Sequence, residues 1–195
     1  MDFLNKSKSD TKFWIGALVT LVFISYGRSI LNGYSVDDYL ITTELNERVT
    51  KGIAGVPEIF TTPYQKLEGK EYGYRPMAMA TFAIEYELWG FNPKAGHLVN
   101  ILLYIMVILF LFKILKELFP DNALIPFAIA SLFAVHPLHS EIVFSLKNRE
   151  EIFAMLFGTA SFLCFLKGIK SRKMIKWALL AIVLFAIGTF AKTTV

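Results

Sequence analysis

Five apolar runs separated by polar connections extend over most of the 195-residue sequence. They cover approximately residues 13–31, 97–115, 123–138, 152–167 and 174–191. A helix of about 20 apolar residues spans the hydrocarbon core of a bilayer. Several of the runs are shorter, so the prediction rests on the alternation of apolar runs with polar connections and not on the length of any one run. Hydrophobic residues make up 55% of the chain, as is typical of multi-pass membrane proteins. The sequence therefore predicts an all-α polytopic membrane protein with about five transmembrane helices in a single membrane domain, residues 1–195.

Residues 32–96 form a long connection after the first run. Its repeated glycines and prolines exclude one continuous helix. Near its end, four apolar side chains recur at intervals of three and four: Met79, Phe82, Tyr86 and Trp89. This spacing predicts a helix over residues 77–89. Such a helix either lies at the membrane surface, with its aromatic residues at headgroup depth, or packs within the loop.

The distribution of lysine and arginine predicts how the helices are oriented. With a cytoplasmic amino terminus, the inner segments carry ten basic and four acidic residues, whereas the outer segments carry ten basic and twelve acidic residues. Basic residues concentrate in the short cytoplasmic loops of membrane proteins, so we predict a cytoplasmic amino terminus and an external carboxyl terminus. The bases are spread over loops, so the net charge of +4 does not indicate a nucleic-acid partner. A cleaved signal peptide ending near Ser25 and Gly27 is the alternative interpretation of the first run.

Two polar clusters lie at the predicted outer ends of these helices. Asp37 and Asp38 follow the first run, and adjacent carboxylates suit a general base or a metal ligand, with a helix cap as the alternative. His136, His139 and Glu141 lie at the outer end of the third run. Residues with this spacing share a metal ion, share a proton or cap the helix.

Lys147 and Arg149 precede the fourth run. Two cations beside the backbone N–H groups of a helix start form a phosphate-binding arrangement. The alternative is an anchor at the membrane interface. Ionisable groups at the mouth of a membrane segment are costly to hold there, so they count as functional candidates.

The order of these motifs resembles that of a known superfamily. The motifs are Asp37-Asp38, Tyr74-Arg75-Pro76, Gly90-Phe91-Asn92-Pro93, Gly96-His97-Leu98-Val99-Asn100, His136-Pro137-Leu138-His139-Ser140-Glu141 and Lys147-Asn148-Arg149-Glu150-Glu151-Ile152. From about Val36 onward, the chain is similar to the amino-terminal membrane module of C-type (GT-C) glycosyltransferases, most of all to the transmembrane-and-TPR-containing O-mannosyltransferases and their bacterial relatives. The resemblance implies transfer of a sugar such as mannose from a polyprenyl-phosphate carrier, for example dolichyl phosphate mannose. The acceptor would be a hydroxyl of a protein or glycan on the non-cytoplasmic face, and the transfer would invert the anomeric configuration.

The resemblance also implies roles for individual residues. The catalytic pair would be Asp37, as the base, and Asp38. The second polar motif would be His136, His139 and Glu141. The lipid-linked phosphate would contact Arg149, Lys147, Arg75 and Lys192. A divalent metal, Mg²⁺ or Mn²⁺, is left open, with Asp38, His139 and Glu141 as its candidate ligands.

The chain differs from these relatives in two features. The fifth run is followed by Lys192 but lacks the acidic residue that relatives carry nearby. Relatives also continue with further membrane helices and often a TPR domain, so we expect the chain to be an amino-terminal fragment that partners with these parts in the bilayer. A bacterial inner membrane is preferred over the endoplasmic reticulum. The alternatives to an enzyme are a non-catalytic membrane scaffold and a carrier or channel subunit, although the spans lack the mid-membrane charges of a carrier.

Overall fold

The computed structural model describes residues 6–38, 46–67 and 70–192. Its helices are α1 (Lys6–Tyr26), α2 (Glu47–Thr50), α3 (Val56–Ile59), α4 (Pro76–Trp89), α5 (Pro93–Leu118), α6 (Leu124–Ala134), α7 (Leu138–Phe144), α8 (Arg149–Ile169) and α9 (Met174–Ala191). Short 3₁₀ turns at Gly27–Leu31 and Gly52–Gly55 extend α1 and link α2 to α3. A small antiparallel hairpin of β1 (Gln65–Leu67) and β2 (Lys70–Tyr72) precedes α4.

In the part of the chain that the structure describes, four helical segments are long and apolar enough to cross a membrane: Thr11–Leu31, α5, α8 and α9. α6 and α7 together form a fifth candidate, although they meet at a bend of 66°. α5 has 26 residues, or about 39 Å at 1.5 Å per residue, which exceeds the roughly 30 Å of hydrocarbon. The fold class predicted from the sequence, an all-α polytopic membrane protein with about five transmembrane helices, is confirmed.

Two of the helices begin earlier than the apolar runs because polar residues form their first turns. α5 starts at Pro93 rather than at residue 97, since Asn92 Oδ1 accepts a hydrogen bond from the Ala95 N–H at 3.3 Å and proline suits the first turn of a helix. α8 starts at Arg149 rather than at residue 152, and its first turn holds two glutamates. These first turns carry the polar groups that matter for the site.

The predicted third span, residues 123–138, is wrong as a single helix. α6 ends at Ala134 and α7 begins at Leu138, so the chain turns sharply at residues 135–137. Pro137 explains the break, because proline has no N–H to continue a helix and its ring clashes with the preceding turn. The histidine motif therefore lies at a corner between two helices rather than at the end of one.

The predicted helix over residues 77–89 is present as α4, but it does not lie with its aromatic face toward the membrane surface. Met79 is 2% exposed and Phe82 is 4% exposed, because both pack into the protein core. Tyr86 is half-buried, and Trp89 is the exposed member of the set. α4 contacts α2, α3, α5, α8 and α9, so the packed-loop interpretation is the correct one.

α5 is the central helix of the bundle and packs against α1, α6 and α8. α9 packs along α8, and the two approach closely where Gly168 leaves room, since a Cβ there would lie 3.1 Å from Trp177 Cβ. The other side of α9 exposes large apolar residues such as Ile182 and Phe185. Exposed apolar surface of this kind is what the hydrocarbon core of a bilayer covers.

Candidate functional site

The polar motifs gather at one end of the helix bundle, here called the polar end. Successive membrane helices run in opposite directions, so the end of α1 lies near the starts of α5 and α8 and the end of α9. His97 Nε2 lies 3.3 Å from the Gly33 carbonyl oxygen and connects α5 to the segment after α1. At the opposite end, Lys170 of the α8–α9 connection pairs with Glu117 of α5 at 2.6 Å. The structure thus brings the aspartate pair and the histidine turn to the same end.

Asp38 is buried, whereas the side chain of Asp37 is 69% exposed. Asp38 Oδ1 accepts hydrogen bonds from the Lys147 N–H at 2.7 Å and from Ser145 Oγ at 3.2 Å, and Oδ2 accepts one from the Ser35 N–H at 2.9 Å. These bonds tie the first loop to the turn before α8. Asp37 Oδ2 lies 3.6 Å from Lys147 Nζ. The two predicted catalytic carboxylates therefore have different surroundings. Asp38 is held in place by hydrogen bonds, and Asp37 is accessible to a ligand.

Arg149 is completely buried, and every N–H of its guanidinium group has an acceptor. Nε donates to Asn100 Oδ1 at 2.7 Å, Nη1 donates to Thr81 Oγ1 at 2.9 Å and to Glu85 Oε1, and Nη2 donates to Glu85 Oε2 at 3.2 Å and to the Gly96 carbonyl at 3.0 Å. Arginine has five such donors, so none is left for a ligand. This geometry contradicts the predicted phosphate contact of Arg149, because its side chain instead fixes α4 and α5 onto α8.

Glu150 and Glu151 form a second charged network, here called the ion cluster, with Arg75 and Lys192. Glu150 is 2% exposed, and its Oε1 pairs with Arg75 Nη1 and, at 3.7 Å, with Lys192 Nζ. Lys192 Nζ also pairs with Oε1 of Glu151, whose side chain is 34% exposed. Arg75 and Lys192, two of the residues predicted to contact a lipid phosphate, are thereby brought together by carboxylates.

Tyr64 lies against the ion cluster. The Arg75 guanidinium carbon is 5.4 Å from the centre of the Tyr64 ring, a cation–π geometry. Burial, and secondarily the Glu150 carboxylate, raises the pKa of the Tyr64 phenol well above its usual value. Tyr64 therefore stays neutral and supplies an aromatic surface that keeps Arg75 in position.

The corner between α6 and α7 positions His139. Because Pro137 has no N–H, carbonyl groups at the end of α6 lack their usual helical partners and take side-chain donors instead. His139 Nδ1 lies 2.8 Å from the Phe133 carbonyl and 2.8 Å from the Tyr104 hydroxyl, which itself donates to the Ala134 carbonyl at 3.0 Å. A carbonyl can only accept, so Nδ1 carries the proton and Nε2 of the neutral ring keeps its lone pair.

His136 and Glu141 are exposed, unlike His139. Among the residues that the structure describes, no group of three or more His, Cys, Asp or Glu side chains is arranged to hold a metal ion. Asp38 is bonded to the turn before α8 and His139 to the end of α6. Asp38, His139 and Glu141, the candidate ligands for Mg²⁺ or Mn²⁺, therefore do not lie together in the described part of the chain.

Two apolar hollows adjoin at the polar end. A cavity of about 240 Å³ lies beside His139 and Tyr104, and an open groove of about 500 Å³ runs along α5 and α8 toward Phe162. Glu151 and Met155 line both of them. Glu151 therefore stands at the place where a charged cluster meets an apolar groove, an arrangement that suits a ligand with an anionic head and a long apolar tail.

The sequence motifs missed several of these partners. Glu150 and Glu151 stood within a quoted motif without a role, and Glu85 and Tyr104 stood outside the motifs. One signal was present: an arginine at the start of a membrane helix is expected to need a buried acid as partner. Glu85, in a helix rich in apolar residues, satisfies that requirement.

Comparison with known proteins agrees with the resemblance of the motifs. Residues 74–195 match the family model described as dolichyl-phosphate-mannose-protein mannosyltransferase. The chain is 30% identical over 184 residues to the protein O-mannosyl-transferase TMTC3 of Homo sapiens, covering 91% of this chain and 20% of that protein. It is 33% identical over 146 residues to the protein O-mannosyl-transferase TMTC1 of Homo sapiens, covering 73% of this chain and 16% of that protein.

The chain spans about a fifth of the length of these curated relatives. No solved structure matches it significantly. The family model nevertheless covers well over half of the chain and includes the ion cluster, the buried arginine and the histidine corner. The resemblance to GT-C glycosyltransferases is thereby confirmed, and the chain belongs to the dolichyl-phosphate-mannose-protein mannosyltransferase family.

Proposed function

We propose that this chain forms the catalytic side of a membrane mannosyltransferase. The enzyme transfers mannose from a polyprenyl-phosphate carrier to a hydroxyl group of a protein or glycan. Family membership supports this reaction class. The observation that carries the proposal is the polar end itself, where the exposed Asp37 carboxylate pairs with Lys147, and where Arg75 and Lys192 join the glutamates beside the apolar groove that Glu151 lines.

Asp37 is the proposed general base. Its carboxylate is exposed, so it can reach the acceptor hydroxyl, whereas Asp38 is committed to the turn before α8. The acceptor oxygen attacks the anomeric carbon while Asp37 takes its proton, and the bond from that carbon to the phosphate oxygen breaks. A single displacement of this kind inverts the anomeric configuration.

The leaving phosphate needs fixed cations to stabilise its charge. Lys147, Arg75 and Lys192 have exposed fractions of 20% to 31%, so each can reach a bound ligand. The apolar groove that begins at Glu151 would hold the polyprenyl tail. Arg149 contributes by holding α4, and therefore the adjacent Arg75, in place.

The orientation of the protein follows from its charges. The inner segments carry ten basic residues and four acidic ones, so the polar end faces the non-cytoplasmic side with the amino terminus in the cytoplasm. The acceptor protein or glycan would reach the site from that side. The preference for a bacterial inner membrane over the endoplasmic reticulum remains a prediction.

The test is transfer of radiolabelled mannose from polyprenyl phosphate mannose in membranes that contain the complete gene product. We expect Asp37→Asn to lower transfer by about 100-fold or more, the scale of a lost general base, and His139→Ala to lower it less. Glu58→Gln is the matched control, because it removes an exposed carboxylate from a lysine pair elsewhere in the same loop. Equal transfer by all of these proteins would refute the enzymatic role and favour a non-catalytic scaffold.

A further inference from the structure

The ion cluster contains two neighbouring carboxylates in very different surroundings. Glu150 is 2% exposed, and Glu151 is 34% exposed. Both pair with Lys192, but only Glu151 also lines the apolar groove and the cavity beside His139. A ligand that arrives through either hollow therefore meets Glu151 before it meets Glu150.

The two carboxylates also differ in what binds them. A single oxygen of Glu150, Oε1, pairs with both Arg75 and Lys192, and in the described part of the chain its other oxygen, Oε2, accepts no hydrogen bond. Removing either cation would leave a buried charge poorly compensated, which is strongly unfavourable. Glu150 is thus a permanent anchor for both cations.

Glu151 can give up its cation at much lower cost. Its side chain is partly in contact with solvent, and it lies in the first turn of α8, where the helix dipole stabilises a carboxylate without any other partner. Ion pairs that are partly exposed contribute little free energy, so an anion of equal charge can replace one member.

Resting on the proposed function, we propose that Glu151 is an internal placeholder for the donor phosphate. Its carboxylate occupies Lys192 while the site is empty and is displaced when a polyprenyl-linked phosphate enters from the groove. Glu150 keeps Arg75 and Lys192 in place throughout and is a positioning residue. No covalent bond changes in this exchange, since one anion replaces another on the same ammonium group.

If Glu151 is a placeholder, removing its charge should raise the affinity for a lipid phosphate instead of lowering it. Glu151→Gln removes the competing charge, so the affinity for a lipid phosphate should rise, by roughly two- to fivefold given the usual contribution of a partly exposed ion pair. Glu150→Gln should lower the affinity, because Arg75 and Lys192 lose the carboxylate that holds them. Two isosteric substitutions at adjacent positions would then act in opposite directions.

The experiment measures binding of decaprenyl phosphate, a lipid phosphate without sugar, to the complete gene product in phosphatidylcholine nanodiscs. Decaprenol, which lacks the phosphate, should bind equally to the wild type and to Glu151→Gln. Lys192→Gln should weaken phosphate binding, and adding Glu151→Gln to it should give no gain, since the two residues act through one contact. Glu58→Gln, which removes another glutamate–lysine pair, should bind like the wild type.

Unchanged or weaker binding of decaprenyl phosphate by Glu151→Gln would overturn the proposal, as would a gain that persists without Lys192. Mannose transfer is measured separately on the same preparations. A gain in phosphate affinity without any mannose transfer would support the placeholder and reject the enzymatic function. Mannose transfer without a gain in phosphate affinity would support the enzymatic function and reject the placeholder.

Discussion

Replacing Arg149 by lysine separates a structural role from a phosphate-binding role. Arg149→Lys keeps the positive charge but reduces five N–H donors to three. At least two of the five hydrogen bonds to Asn100, Thr81, Glu85 and Gly96 are then lost in a buried setting. Each unsatisfied buried acceptor costs about 1–3 kcal/mol, so the free energy of unfolding should fall by about 2–6 kcal/mol.

The assay is equilibrium unfolding of the complete gene product in detergent micelles, followed by tryptophan fluorescence. Glu85→Gln is the companion variant, because it leaves the guanidinium charge buried without its carboxylate, and it should cost about 3–5 kcal/mol. A double-mutant cycle that combines Arg149→Lys with Glu85→Gln should show a large coupling energy, since the two side chains are hydrogen-bonded to each other. A stable Arg149→Lys protein that has lost only lipid-phosphate binding would refute the structural role and restore the phosphate contact.

Three further predictions concern the polar end. Asp38→Ala should lower the free energy of unfolding by about 2–3 kcal/mol in the same assay, because the Lys147 N–H before α8 and the Ser35 N–H after α1 lose their acceptor. Tyr104→Phe should cost about 1 kcal/mol and lower mannose transfer, because His139 loses a hydrogen bond that fixes its ring. Ile53→Cys, in a Cys164→Ser background, should react with a membrane-impermeant maleimide from the non-cytoplasmic side, and labelling only after permeabilisation would reverse the proposed topology.

The membrane helices could be predicted from the sequence because hydrophobic burial in a bilayer depends on local composition. The run over residues 174–191 coincides with α9, and the helix over residues 77–89 is α4 with one more residue. The break at residues 135–137 was readable in principle from Pro137. It was missed because the apolar pattern continues across the proline, and hydropathy does not register a missing N–H.

The pairing of charges could not be predicted in the same way. Arg149 and Glu85 lie 64 residues apart, and Arg75 and Glu150 lie 75 apart. The two residues of each pair do not lie in the same helix, so no rule based on helical spacing connects them. The sequence left the surroundings of α4 open for the same reason, because Met79 and Phe82 look alike whether they meet lipid or a protein core.

Adjacent charged residues at the polar end differ in role because neighbouring side chains point in different directions. Successive positions on a helix are about 100° apart, so Arg149, Glu150 and Glu151 face three surroundings: a buried network, the base of the ion cluster and an open groove. Asp37 and Asp38 divide similarly, one exposed and one buried. In a sequence motif such neighbours look equivalent. In the structure, the buried residue stabilises the fold and the exposed one remains accessible. The chemistry of this site must therefore be carried by the outer members, where a ligand can reach them.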